Sequence, residues 1–174
     1  FSGDRGGYAE DDFRDGDTPY ARTKALGEVI NDMDLTLRTS IIGPELKISG
    51  TGLLNWFLLQ KGTIKGYSKA YWSGVTTLEL AKVVDQCINH WVSGLVNLTM
   101  SRKISKFDLL LACQKIWNHG QVRIFPDDTY TSDKSMISRR TDLPFSLPAS
   151  YLDLLTELRE FMNRHRDWYP HYAK

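Results

Sequence analysis

With 174 residues, 41% of them hydrophobic and 25% charged, the chain is long enough for one domain with a sizeable core and has the balance of a water-soluble protein. Its formal net charge of +1, from 22 basic and 21 acidic residues, excludes the general basic excess of a protein that grips nucleic-acid phosphates. No run of about 18 apolar residues occurs, so no transmembrane helix is expected, and no signal-peptide pattern opens the chain. The cytoplasm is the expected compartment, and neither nucleic acid nor membrane is an expected partner.

The chain starts at Phe1, and its opening reads as loop: Gly3, Gly6, Gly7 and Gly16 alternate with six Asp or Glu before Pro19. So long a polar loop at the start of a fold implies something upstream to hold it, and a preceding portion is expected. Thr18-Pro19 then supplies an N-cap and a first helical position. The helix is expected to run through Ile30 and to stop near Asn31 to Asp34. Leu35 to Ile42 is rich in β-branched residues and reads as a strand ended by Gly43-Pro44.

Residues 51–61 read as a short apolar helix closed by Gly62, and Thr63 to Gly74 as irregular or short strand. Thr76 with Glu79 forms a capping-box signature, behind which Leu80, Val83, Val84, Cys87 and Trp91 share a helix face. Leu95 to Thr99 reads as a strand. Ser105 with Asp108 opens a helix from Phe107 to His119, with Gly120 at its end. Val122 to Phe125 is a short strand candidate and 126–149 reads mostly as loop. A last helix starts near Ser150 and carries Leu154, Leu155, Leu158, Phe161 and Met162. Mixed helices and short strands indicate an α/β architecture.

Cys87 and Cys113 lie among apolar residues in helical patterns and read as buried free thiols. The basic stretch Arg102, Lys103, Lys106 reads as a solvated loop. His90, His119, His165 and His171 are scattered without ligand spacing, so no metal site is expected. No G-x-S-x-G elbow appears. Gly3-Asp-Arg-Gly-Gly7 has no strand before it and no helix directly after, which is not a phosphate cradle. Tyr67, Tyr71 and Trp72 read as core aromatics, with stacking on a base or sugar as the alternative.

The sharpest constellation is Tyr20-Ala-Arg-Thr-Lys24. Residues four apart share a helix face, and a neighbouring ammonium favours a phenolate, so the pair can exchange a proton with a carbonyl or alcohol. Taken alone, such a pair is weak. The order of the sequence strengthens it: Phe1-Ser2-Gly3, an acidic glycine-rich loop, Thr18-Pro-Tyr-Ala-Arg-Thr-Lys-Ala-Leu-Gly-Glu28, then Leu37-Arg-Thr-Ser-Ile-Ile-Gly-Pro44. This resembles the extended short-chain dehydrogenase/reductase family, within it the branch around dTDP-4-dehydrorhamnose reductase. Later segments match more weakly but in order: Trp72 to Thr76, Leu95 to Leu98, Asp133 to Met136, and Leu147-Pro148.

The resemblance implies the C-terminal portion of a Rossmann-like NAD(P)-binding fold plus a small mixed substrate-binding region. Residues 1–44 would end the dinucleotide-binding domain with the Tyr/Lys helix, and 45–174 would be mainly the substrate-binding region, with helices returning to the Rossmann sheet. It implies NAD or NADP as cofactor and reduction of a nucleotide-linked 4-keto sugar. Tyr20 would be the proton donor, and Lys24 would hold the nicotinamide ribose. Ser40, Ile41 and Ile42 would lie beside the cofactor, and Phe1, Ser2, Gly3 and Trp72 on the substrate side. The family's Ser/Thr hydroxyl and glycine fingerprint would fall upstream, and the isolated chain is expected to be inactive. An epimerase or dehydratase within the family stays open, as does a non-catalytic dinucleotide-binding subunit, which the apolar Ile41-Ile42 keeps in play. A homodimer also stays open.

Overall fold

Three small sheets, each built around a parallel strand pair, organise the chain in a computed structural model that describes residues 1–47 and 49–172. In order, the elements are α1 (Pro19–Leu26), β1 (Leu35–Arg38), β2 (Ile41–Ile42), α2 (Leu53–Leu58), β3 (Gly62–Trp72), β4 (Val75–Thr76), α3 (Thr77–Asn89), β5 (Gly94–Asn97), β6 (Ile104–Ser105), α4 (Lys106–Trp117), β7 (Val122–Asp133) and α5 (Tyr151–Arg164). Two 3-10 turns follow, Arg166–Trp168 and Pro170–Tyr172. The mixed α/β class expected from the sequence is what the chain adopts.

α1 begins as its cap predicts: Thr18 Oγ1 accepts from the Ala21 N–H at 3.1 Å, and Pro19 takes the first helical position. It ends at Leu26 rather than Ile30. Asn31 Oδ1 accepts from the Met33 and Asp34 N–H groups at 2.8 and 2.7 Å, a local turn that competes with helix for the same backbone.

The strand expected over 35–42 is broken at Thr39-Ser40, and the break has a function in the fold. β1 pairs parallel with β5, Leu35 opposite Gly94 and Arg38 opposite Asn97. Past the break the chain changes partner, and β2 pairs parallel with β4, sealed by the Val75 N–H to the Ser40 carbonyl at 3.0 Å. Gly74 is required here, because a Cβ on it would overlap the Ser40 carbonyl oxygen.

β3 and β7 are longer than the sequence suggests. Residues 63–72 form continuous strand, and the expected loop after Phe125 continues as strand to Asp133. Pro126 and Asp127-Asp128 read as turn residues, but β7 is an edge strand of the order β6-β3-β7, where a proline is tolerated. The pairing also slips: Tyr67 faces Asp127 while Lys69 faces Thr131, so an irregularity takes up the extra β7 residues.

Other boundaries move for local reasons. α2 is confined to Leu53–Leu58 with Leu59 as its cap residue, and Gly62 (φ +74°) opens β3 instead of closing the helix. α4 ends through Asn118, which takes the left-handed conformation expected of Gly120; asparagine tolerates it better than most side chains. α3 ends at Asn89, so Trp91 leaves the expected apolar face and is 91% exposed, while Val84 is also on the surface. Thr76 Oγ1 accepts from the Glu79 N–H at 3.1 Å as the capping box requires, but the buried Glu79 carboxylate turns to Lys82 at 2.7 Å.

One core cluster gathers Ile42, Leu54, Phe57, Trp72, Val75, Val83, Leu109, Leu154, Leu155 and Leu158 from the strands and helices. Cys87 and Cys113 are buried and free, as expected; burial pushes the Cys113 thiol up to about 12. Among the described residues no helix is long and apolar enough to cross a membrane.

Candidate active site

The opening loop has only an isolated bridge between Tyr8 and Met136, yet its side chains hold it firmly. Tyr8 is fully buried, its ring stacked on Phe1 at 4.1 Å and its phenol oxygen accepting the Gly3 N–H at 3.2 Å. Ser2 donates its N–H and hydroxyl to Asp15 at 2.8 and 2.7 Å. Burial raises the Asp15 carboxyl, but these bonds outweigh it and hold the group below its ordinary range. The loop thus returns to α1 at Gly16, where a Cβ would lie only 2.6 Å from Ala21 Cβ.

Asn97, at the end of β5, ties this loop to the sheet. It is 1% exposed, and its amide nitrogen donates to the Tyr8 and Ile137 carbonyls at 3.0 and 2.9 Å. Its amide oxygen accepts from Arg38 at 3.1 Å, and its backbone N–H donates to Glu10 at 3.0 Å. Arg38 then forks onto Glu28, both bonds 2.9 Å, and its guanidinium lies 5.1 Å from the Phe1 ring centroid. Arg14 binds the same carboxylate. Burial raises the Glu28 carboxyl, while the hydrogen bonds and positive charge of Arg38 and Arg14 bring it below its ordinary value.

Between this network and α1 opens a cleft of about 550 Å³, within the size range of small-molecule sites. Tyr20 and Lys24 line it from α1, Arg38 to Ile41 from the carboxyl end of β1, and Phe1, Arg14 and Lys134 from the flanks. α1 buries no residue, so both Tyr20 and Lys24 are open to ligand; Tyr20 is 74% exposed. The Lys24 ammonium stands 5.8 Å from the Tyr20 ring centroid and has no carboxylate partner among the described residues. Arg14, Lys24, Arg38 and Lys134 face the cleft with Glu28 as the one carboxylate in its lining, a surplus of positive charge that favours an anionic ligand.

The structure therefore brings together Tyr20, Lys24, Ser40, Ile41 and Phe1 of the residues singled out in sequence. Four others stand elsewhere. Ile42 is 4% exposed and belongs to the core. Ser2 and Gly3 brace the loop and are not in the cleft lining. Trp72 is 8% exposed, tilted against Tyr151 at 5.7 Å with the Lys106 ammonium 5.3 Å from its ring, so packing, not the cleft, claims it. The basic stretch is also not a solvated loop: Lys106 starts α4, and Lys103 binds Asp133 and covers the Tyr71 ring. Tyr67 packs against Tyr130 at 5.1 Å. Among the described residues no group of three or more His, Cys, Asp or Glu side chains is placed to hold a metal ion.

Sequence reading passed over Arg14, Glu28, Arg38 and Asn97. Glu28 and Arg38 stand inside the two motifs quoted above, at the end of the helix segment and the start of Arg-Thr-Ser, so the signal was present without a role attached. Asn97 gave no signal, since its contacts come from segments far apart in sequence.

No protein-family model and no curated protein sequence matches the chain. Solved structures do. The dTDP-4-dehydrorhamnose reductase of Yersinia enterocolitica superposes with a TM-score of 0.71 at 20% identity, over 92% of this chain and 62% of that one. The dTDP-4-dehydrorhamnose reductase of Bacillus anthracis str. Ames, solved in complex with NADP, gives 0.67 at 17% identity, over 94% and 62%. The dTDP-glucose 4,6-dehydratase of the same organism, in complex with NAD, gives 0.68 at 11% identity, over 98% and 60%. The chain thus spans less than two thirds of the length of each of these structures, and its fold is the mixed α/β, parallel-stranded fold of part of a Rossmann-like reductase.

Proposed function

We propose that the protein is an NAD(P)-dependent reductase of a nucleotide-linked 4-keto sugar, acting in the cytoplasm, with Tyr20 and Lys24 at its reacting centre. The observation that carries this reading is the convergence of Tyr20, Lys24, Ser40 and Ile41 on one cleft at the carboxyl end of a parallel strand, where open α/β sheets take their ligands. Residues 1–44 carry this half of the site, and 45–174 form mainly the region that receives the sugar nucleotide.

The exposed, uncommitted Lys24 ammonium and the open face of α1 suit the nicotinamide ribose, whose hydroxyls would accept hydrogen bonds from Lys24. The dinucleotide, when bound, supplies hydride. Tyr20 gives its phenolic proton to the sugar oxygen as negative charge grows there. Arg14, Arg38 and Lys134 offer positive charge to a diphosphate, and the Arg38–Glu28–Arg14 network keeps that charge in place without closing the cleft.

The apolar Ile41, 54% exposed at the cleft, favours a second reading, a non-catalytic dinucleotide-binding subunit. The dehydratases among the similar structures keep a third, sugar-nucleotide dehydratase or epimerase chemistry on the same Tyr/Lys pair. The test is NADPH and NADH oxidation by the complete gene product over a panel of 4-keto nucleotide sugars, wild type beside Tyr20→Phe. Reductase turnover is expected, with loss of at least about 100-fold in the variant. Cofactor binding without turnover, equal in both proteins, would move the assignment to the binding subunit.

A further inference from the structure

The four cations that line the cleft are not equivalent. Arg38 has all three of its nitrogens engaged, two on the Glu28 carboxylate, each at 2.9 Å, and one on Asn97 Oδ1 at 3.1 Å. Arg14 shares the same carboxylate. Both arginines add to the potential of the cleft, but their positions are set by Glu28. Lys24 stands beside Tyr20 on α1. Lys134 alone reaches the cleft from the far part of the chain, directly after β7. It is exposed and makes no ion pair among the described residues, because the carboxylate next to it, Asp133, is taken by Lys103.

The backbone around Lys134 is held from both sides. The Asp133 N–H donates to the Gly3 carbonyl at 2.6 Å. Ser135, 4% exposed, accepts the Gly7 N–H on its hydroxyl at 3.0 Å and donates that hydroxyl to Asp133 at 2.6 Å. The side chain is guided as well. Gly3 has φ +96°, and a Cβ on it would lie 2.9 Å from Lys134 Cγ and 3.1 Å from its Cε. The lysine stem therefore crosses the opening loop at a place where no side chain fits, and carries an uncommitted ammonium to the cleft.

A free ammonium in a cleft with surplus positive charge suits a phosphate oxygen. Two ligands of the proposed reaction carry phosphates. The dinucleotide has its pyrophosphate seated by a glycine turn at a helix N-terminus. α1 offers no such seat: Pro19 has no N–H, and Thr18 occupies that of Ala21. The other ligand is the sugar nucleotide. We propose that Lys134 recognises the diphosphate of the sugar nucleotide and sets affinity for substrate without taking part in the chemistry, an assignment that rests on the reductase reading of this cleft.

A nucleoside diphosphate carries the recognised group without requiring turnover. The complete gene product, saturated with the dinucleotide it binds, is titrated calorimetrically with thymidine diphosphate and with uridine diphosphate. Wild type is expected to bind at least one of them. Lys134→Gln should weaken that binding about tenfold, and Lys134→Arg, which keeps the charge, should restore it. Lys69→Gln, a surface lysine outside the lining that pairs with Asp128 at 3.5 Å, should leave it unchanged. With an accepted 4-keto nucleotide sugar, Lys134→Gln should raise KM about tenfold at unchanged kcat and unchanged dinucleotide affinity. Absence of turnover in wild type would remove the reductase reading while the diphosphate titration still judged Lys134. Equal diphosphate affinity in wild type and Lys134→Gln, no diphosphate binding by wild type, an equal loss in Lys69→Gln, or a loss of dinucleotide affinity in Lys134→Gln would overturn the assignment.

Discussion

Asn97→Ala should unfold this protein several degrees early, although the residue touches neither Tyr20 nor Lys24. The magnitude follows from the bonds it makes. The variant keeps the backbone N–H that reaches Glu10, and the Tyr8 carbonyl keeps the Ile137 N–H at 3.0 Å. What is lost is the donor to the Ile137 carbonyl and the acceptor for Arg38. An orphaned buried carbonyl costs about 1–3 kcal/mol and a bond to a charged group contributes about 1.5 kcal/mol or more, so the loss is about 3 kcal/mol. For a chain of this size that corresponds to about 6–12 °C in Tm, read by circular dichroism at 222 nm. Asn97→Asp separates the two terms: it keeps an acceptor for Arg38 but has no donor for the carbonyls of Tyr8 and Ile137. It should lose only the share of the carbonyl tie and melt between the alanine variant and wild type. An aspartate variant melting with wild type would show that the Arg38 contact, not the tie between loop and sheet, carries the stability.

Glu28→Gln should lower Tm near neutral pH by an amount corresponding to about 2 kcal/mol. Because the folded Glu28 carboxyl titrates below its ordinary value of 4.5, its contribution is present above that pH and is lost as pH falls through the folded value. The Tm gap between wild type and variant should therefore close in acid melts below pH 4.5; a gap independent of pH would contradict the assignment. Gly74→Ala forces a Cβ onto the Ser40 carbonyl oxygen and should cost about 1–3 kcal/mol. Gly120→Ala, with open space around it, should be neutral or stabilise by up to about 1 kcal/mol, both read from denaturant midpoints. Iodoacetamide followed by mass spectrometry should label Cys87 and Cys113 only after unfolding, since burial raises both thiols; labelling in the native state would place one of them at the surface.

What the sequence made legible was whatever is decided locally. Thr18-Pro19, Thr76 and Ser105 are read correctly as helix starts because a cap is a contact between residues three apart. Tyr20 and Lys24 share the cleft because four residues of helix put them on one face. The misreadings have the opposite origin. Pro126 and Asp127-Asp128 carry turn chemistry, and only a position at the sheet edge, with β3 as a long parallel partner, makes them strand. Trp72 reads as a core aromatic with stacking on a ligand as the alternative, and only Tyr151, 79 residues later, decides between them. Asn97 looks like any polar residue after a strand until three distant segments converge on it.

The site's position follows from the break at Thr39-Ser40. Had Leu35 to Ile42 run as one strand, Thr39 and Ser40 would have been held with Arg38 in the ladder beside β5. By changing partners at the break, the chain leaves Thr39 and Ser40 outside both pairings, at the point where β1 ends and the peptide N–H of Val75 takes the Ser40 carbonyl. That turn forms one wall of the cleft, and α1, which buries nothing, forms the other. A helix with no buried side chain contributes little to the core, and α1 owes its place to the Phe1–Tyr8 stack, to Gly16 against Ala21 and to Glu28 on two arginines. The residues nearest the proposed chemistry are thus positioned by loop contacts and an ion-pair network. Perturbing Asn97 or Glu28 should accordingly disturb ligand binding in this cleft as well as stability, whereas substitutions in α4 or α5, which contribute nothing to its lining, should leave binding there unchanged.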